Sequence, residues 1–94
     1  MTEPIEVWRE PTPNPNALKF TLNRTVTEGR SKTYASPEAA AASPLAKALF
    51  EIAGVKSLFF LGNFITVTRQ PGSEWAAISR QVEERIKAHY GPGA

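Results

Sequence analysis

The run SPLAKALFEIAGVKSLFFLGNFITVTR, Ser43 to Arg69, decides how this chain folds. Ser43 is a good N-cap, and Pro44 suits the first helical position, where a missing N–H costs nothing. Behind them Leu45, Leu49 and Ile52, with Ala48 beside them, make an apolar stripe at helical spacing. Lys47 and Glu51 point the other way as an i,i+4 pair. The pattern predicts a helix over Pro44–Ile52, stopped by Gly54 in the left-handed conformation. Two extended runs follow, Val55–Leu61 and Phe64–Arg69. They are joined only by Gly62-Asn63, a connection that suits a primed hairpin turn.

A two-residue loop sets the register. Leu61 then faces Phe64, Phe60 faces Ile65, Phe59 faces Thr66 and Leu58 faces Val67. Strand side chains alternate, so one face carries Leu58, Phe60, Ile65 and Val67, wholly apolar and fit to lie under helices. The other carries Ser57, Phe59, Leu61, Phe64, Thr66 and Thr68 and is mixed.

Working outward, Ile5–Arg9 alternates as a strand, with Ile5, Val7 and Arg9 on one side and Glu6 and Trp8 on the other. Thr12-Pro13-Asn14-Pro15-Asn16 is a rigid, non-helical loop, since its prolines fix φ and push the residues before them extended. Ala17–Leu22 alternates again, with Leu18, Phe20 and Leu22 inward. Between Asn23 and Tyr34 the pattern is weak. Thr25 to Thr27 favour extended backbone, Glu28-Gly29-Arg30 suggests a turn, and Lys32-Thr33-Tyr34 is a candidate fifth strand. Ser36-Pro37-Glu38 starts a single helical turn or a short helix. At the end, Ser73 can cap a helix whose stripe is Trp75, Ile78, Val82, Ile86 and Tyr90, with Trp75 as a core anchor; Glu83 and Glu84 belong to its solvated side. The expected fold is α+β: a two-layer sandwich of a four-stranded antiparallel sheet (five-stranded if Lys32–Tyr34 joins), with helices near Pro44–Ile52 and Ser73–Tyr90 on one face.

Composition narrows the chemistry. Ninety-four residues with 41% hydrophobic content make one compact domain, spanning 1–94, with little surplus for an enclosed active site. The formal charge is +2 and the basic residues are scattered, so no stripe for tracking phosphates is visible. No apolar run could span a bilayer, and the N-terminal residues carry no signal-peptide pattern; a cytoplasmic location is expected. The sequence has no cysteine and no aspartate, and its only histidine is His89. Disulfides, zinc–thiolate sites and cysteine-ligated clusters are thereby excluded within these residues. So are a Ser-His-Asp triad and a two-histidine metal site. His89 reads as a surface residue near a helix C-terminus. We assign no catalytic, cofactor-binding or metal-ligating residue and expect no enzyme.

Two stretches resemble a known family: Thr12-Pro13-Asn14-Pro15-Asn16-Ala17-Leu18-Lys19-Phe20, and Ser43-Pro44-Leu45-Ala46 through Gly54-Val55-Lys56-Ser57 to Phe64-Ile65-Thr66-Val67-Thr68. Both are similar to the N-terminal domain of Nfu/NifU-type iron–sulfur scaffold proteins. In that family a second domain with a Cys-x-x-Cys motif usually follows and holds the cluster, so the present chain looks like a stand-alone N-terminal domain. It departs from the family's usual Gly-Pro-Asp-Phe turn in reading Leu61-Gly62-Asn63-Phe64, which removes a negative charge from the turn tip. The resemblance implies a non-enzymatic accessory module of iron–sulfur cluster assembly or delivery. The cluster is implied only through a partner, either a Cys-x-x-Cys scaffold domain or an iron–sulfur client.

The candidate partner-binding residues are Phe59, Leu61 and Phe64 on the mixed face and Asn14 and Asn16 in the proline loop. For the aromatic set the plainer reading is ordinary surface residues or packing against the N-terminal strands. For the asparagines it is hydrogen bonding to nearby backbone. Trp8, opposite Val7, could join the mixed face. A different class of function is a small nucleic-acid-binding module using Lys56, Arg69, Phe59 and Phe64, against which the mild net charge counts.

Overall fold

A computed structural model describes residues 5–27, 30–41 and 43–90. The elements run β1 (Val7–Pro11), β2 (Ala17–Leu22), β3 (Lys32–Tyr34), α1 (Pro44–Phe50), β4 (Val55–Leu61), β5 (Phe64–Arg69) and α2 (Trp75–Tyr90). All strand pairings are antiparallel, in one five-stranded sheet of order β1-β2-β5-β4-β3. This is the expected α+β fold, with Lys32–Tyr34 as its fifth strand.

One sheet face and two helical stripes make the core. Phe20, Leu22, Leu58, Phe60, Ile65 and Val67 from the sheet meet Leu45, Ala46, Leu49 and Ile52 from the α1 region and Ile78, Val82 and Ile86 from α2. The hairpin register holds pair for pair, from Leu58↔Val67 to Leu61↔Phe64. Gly62 has φ 56 and Asn63 stays at negative φ, which selects the type II′ turn from the two primed forms. A register shift between Val55 and Ser57 inserts Lys56 as an extra, exposed residue and keeps Val55 in the core.

Several boundaries and partners differ from expectation, each for a local reason. β1 begins and ends two residues later than Ile5–Arg9. Pro11 can belong to it because β1 is a terminal strand and the proline nitrogen lies on its outer side, where no ladder bond is lost. The first helix ends at Phe50, its last turn tightened by Glu51 N–H to Ala48 O and Ile52 N–H to Leu49 O. Gly54 therefore is not the helix cap. It serves the following turn, at φ 100, where Val55 N–H reaches Ile52 O. The alanine that packs inward is Ala46, with Ala48 half-buried. Glu51 pairs with Arg85 on α2 at 2.7 Å, tying the helices together, in place of Lys47. α2 starts at Trp75, two residues after Ser73. Glu83 is no free solvated acid: Arg9 on β1 pairs with it and donates to Ser79 Oγ at 3.1 Å. Ser36 caps a single turn, its Oγ accepting from Ala39 N–H at 3.2 Å, and no helix forms over the described residues 37–41. The suggested turn at Glu28-Gly29 lies outside the described residues.

The II′ turn is stitched to the end of β2. Asn63 O accepts from Leu22 N–H at 2.8 Å, and Asn63 Nδ2 donates to Leu22 O at 3.1 Å. An aspartate could not make the second bond and would face a carbonyl oxygen with a carboxylate. Asn63→Asp is therefore expected to cost about 1 kcal/mol in urea unfolding. An unchanged midpoint would show that the side-chain bond contributes nothing.

Candidate functional site

Among the described residues no helix or strand covers the sheet face away from the helices. Across its turn-proximal row lie Trp8, Thr21, Phe64 and Leu61, each opposite the next along the ladder. The neighbouring row reads Glu10, Lys19, Thr66, Phe59 and Thr33. Trp8 is 49% exposed and Leu61 37%, the two largest exposed apolar side chains among the described residues. Phe59 and Phe64 are half-buried by one another, their ring centroids 6.2 Å apart and tilted. The structure thus brings Phe59, Leu61 and Phe64 together, with Trp8 on the same face at the sheet edge, beyond Thr21.

Charge on this face is sparse and arranged around the rings. Lys19 Nζ sits 4.4 Å from the Phe64 ring centroid, a cation–π contact that covers one side of the ring. Glu10 lies opposite Lys19 but accepts from Thr21 Oγ1 at 2.8 Å. The sequence pattern marked Lys19 only as outward-facing. That it would lie over Phe64 depends on β2 pairing with β5, a non-local neighbour that no local pattern announces.

Asn14 and Asn16 sit elsewhere. Ala17 pairs with Thr68 while Thr21 pairs with Phe64, so the proline loop is at the opposite end of the sheet. Four residues of strand, about 13 Å, separate it from the Phe64 row. Its asparagines bond locally. Asn14 Oδ1 accepts from Asn16 N–H at 2.9 Å, and Thr12 Oγ1 donates to Asn14 O and Ala17 O. Asn16 Oδ1 accepts from Arg69 Nε at 3.3 Å. Trp75 is no deep core anchor: its indole N–H clamps the loop at Pro15 O, 3.1 Å away, and the Arg69 guanidinium lies 5.5 Å from its ring centroid.

Arg69 is thereby committed to the loop, with a further bond to Ser73 O at 2.8 Å. Of the set Lys56, Arg69, Phe59 and Phe64, Arg69 is therefore turned to the proline loop and away from the two rings. Among the described residues no group of three or more His or Glu side chains could hold a metal ion, and no helix is long and apolar enough to cross a membrane. Burial raises the Tyr90 phenol above its ordinary range, but it lies in the helical layer. What the open face offers is contact chemistry: flat apolar area, one lysine and a line of threonine hydroxyls.

A family model described as scaffold protein Nfu/NifU N terminal matches residues 7–93. The chain belongs to the Nfu/NifU N-terminal family. It is 41% identical over 88 residues to the human mitochondrial NFU1 iron-sulfur cluster scaffold homolog, covering 93% of this chain and 35% of that protein. The Drosophila sechellia homolog of the same name is 42% identical over 89 residues, covering 93% and 31%. The chain thus spans about a third of the length of the curated relatives it matches.

Solved structures agree with the fold. A NifU-like protein from Saccharomyces cerevisiae superposes with a TM-score of 0.80 at 25% identity, covering 93% of this chain and 81% of that one. A crystal structure of a Staphylococcus aureus protein gives 0.74 at 28% identity, covering 86% and 98%. The Nfu/NifU family is a scaffold family linked to iron–sulfur clusters, and these matches indicate no enzyme family. The relatives' names place them in mitochondria. The cytoplasmic expectation rests partly on Met1 to Pro4, outside the described residues.

Proposed function

We propose that this Nfu/NifU N-terminal chain is a non-catalytic accessory module of iron–sulfur cluster assembly or delivery, working by protein contact. The observation that carries the reading is a sheet face that no described element covers, with Phe59, Leu61 and Phe64 in one patch, in a chain without cysteine. A patch of that kind is the usual mark of an interaction surface. Cluster ligation needs thiolates, and here they come from outside the 94 residues, from a Cys-x-x-Cys scaffold domain that the chain contacts. Asn14 and Asn16 shape the far loop and stand apart from the contact patch.

Anaerobic reconstitution with iron and sulfide tests the division of labour. The chain alone is expected to take up no stoichiometric cluster, and a Cys-x-x-Cys scaffold domain is expected to keep its visible absorption when the chain is added. A stoichiometric cluster on the isolated chain would overturn the reading.

A further inference from the structure

The outer edge of β1 has features that the open face does not use. Glu6 O accepts from Asn23 N–H at 3.2 Å and Glu6 N–H donates to Asn23 Oδ1 at 3.0 Å. Glu6 therefore turns its backbone groups toward β2, and so, by antiparallel alternation, do Trp8 and Glu10. Val7 and Arg9 turn theirs outward. β1 ends the sheet, so no strand among the described residues covers them.

The two edges of the sheet are not equally protected. β3 is three residues long and carries the exposed Lys32, the usual way of blunting an edge. β1 is five residues long, and its only cation, Arg9, is bound on the helix side by Glu83 and Ser79. On the open-face side its exposed side chains run Glu6, Trp8, Glu10: acid, aromatic, acid at every second position. Among the described residues neither acid is in an ion pair.

We propose that the β1 edge accepts an extended segment of a partner protein that carries a cation, an apolar residue and a cation at alternate positions. The segment adds as a sixth strand, its backbone bonding the N–H and C=O groups of Val7 and Arg9. Its apolar residue lies opposite Trp8, at a non-hydrogen-bonded site where cross-strand side chains come closest. Its cations lie opposite Glu6 and Glu10. The acid–aromatic–acid pattern is palindromic, so charge leaves the strand direction open. A second copy of β1 is a poor occupant: antiparallel pairing about Trp8 would set Glu6 directly against Glu10 of the other copy. Trp8 belongs to this edge, two strands from Phe64, so the edge is separate from the Phe59–Leu61–Phe64 patch and this proposal stands without that reading.

Two acetylated, amidated peptides test it, Thr-Lys-Thr-Leu-Thr-Lys-Thr and its counterpart with glutamate in place of lysine, titrated into the ¹⁵N-labelled chain. The lysine peptide is expected to bind about tenfold tighter at low salt, with slowed amide exchange at Val7 and Arg9 and a preference that shrinks as salt rises. In the Glu6→Gln/Glu10→Gln variant the preference is expected to vanish while Val7 and Arg9 remain protected. The proposal is overturned by absence of binding at millimolar lysine peptide, by equal affinity for the two peptides, or by binding that leaves the Val7 and Arg9 amides unprotected.

Discussion

Gly54→Ala is expected to lower the free energy of unfolding by about 2–4 kcal/mol. Two separate costs combine. Gly54 has φ 100, a conformation that side chains with a Cβ rarely adopt. A Cβ there would also stand 2.9 Å from Ile78 Cδ1 and 3.0 Å from Ser73 Oγ. Ile78 is 1% exposed and part of the core cluster, so its side chain gives way only by disturbing that packing. Gly72 supplies the control, since it has φ 87 and nothing within 4 Å of an added Cβ. Gly72→Ala therefore incurs the backbone cost alone, about 1 kcal/mol. Urea unfolding of both variants isolates the contact term as the difference. Equal losses would mean that α2 shifts freely to make room.

The close approach at Gly54 shows where sequence reading succeeds and where it stops. That Gly54 would take a positive φ was legible from the end of the apolar stripe and the start of a strand. That it would lie against Ile78 was not, because the contact spans the gap between the α1–β4 turn and the start of α2. The same division runs through the chain. Gly62-Asn63 and the alternation around it are local, and they sorted Phe60 from Phe59 and Ile65 from Phe64 correctly. The partner of Glu51 is Arg85 and that of Arg9 is Glu83, both set by how α2 crosses the other elements. The alternation read from Ile5 to Arg9 stopped short of Pro11. Pro11 is part of the strand because the N–H it lacks would have faced outward. Of the candidate site, the aromatic patch followed from register alone. The distance of Asn14 and Asn16 from it needed the pairing of β2 with β5.

Leu61→Ser and Phe59→Ser are expected to weaken capture of a purified Cys-x-x-Cys scaffold domain about 30-fold, close to 2 kcal/mol, if the open face is where that domain docks. The effect on folding should be small by comparison. Leu61 and Phe59 both lie outside the core and the side chains packed against it, so each change is expected to cost about 1 kcal/mol or less. Binding is a different matter, because an apolar side chain that closes over a partner loses its whole contact when truncated. Capture is to be measured by titration with the folded fraction of each variant monitored by circular dichroism. Unchanged capture by both variants would sink the open-face reading. Phe60 provides the contrast. It neighbours Leu61 in the chain but lies on the buried side, 3% exposed, with the Tyr34 ring edge-on at 5.2 Å. Phe60→Ser should lose about 3–5 kcal/mol of stability and impair binding only through unfolding. Adjacent residues on opposite faces thus separate what holds the sheet to its helices from what the sheet presents to a partner.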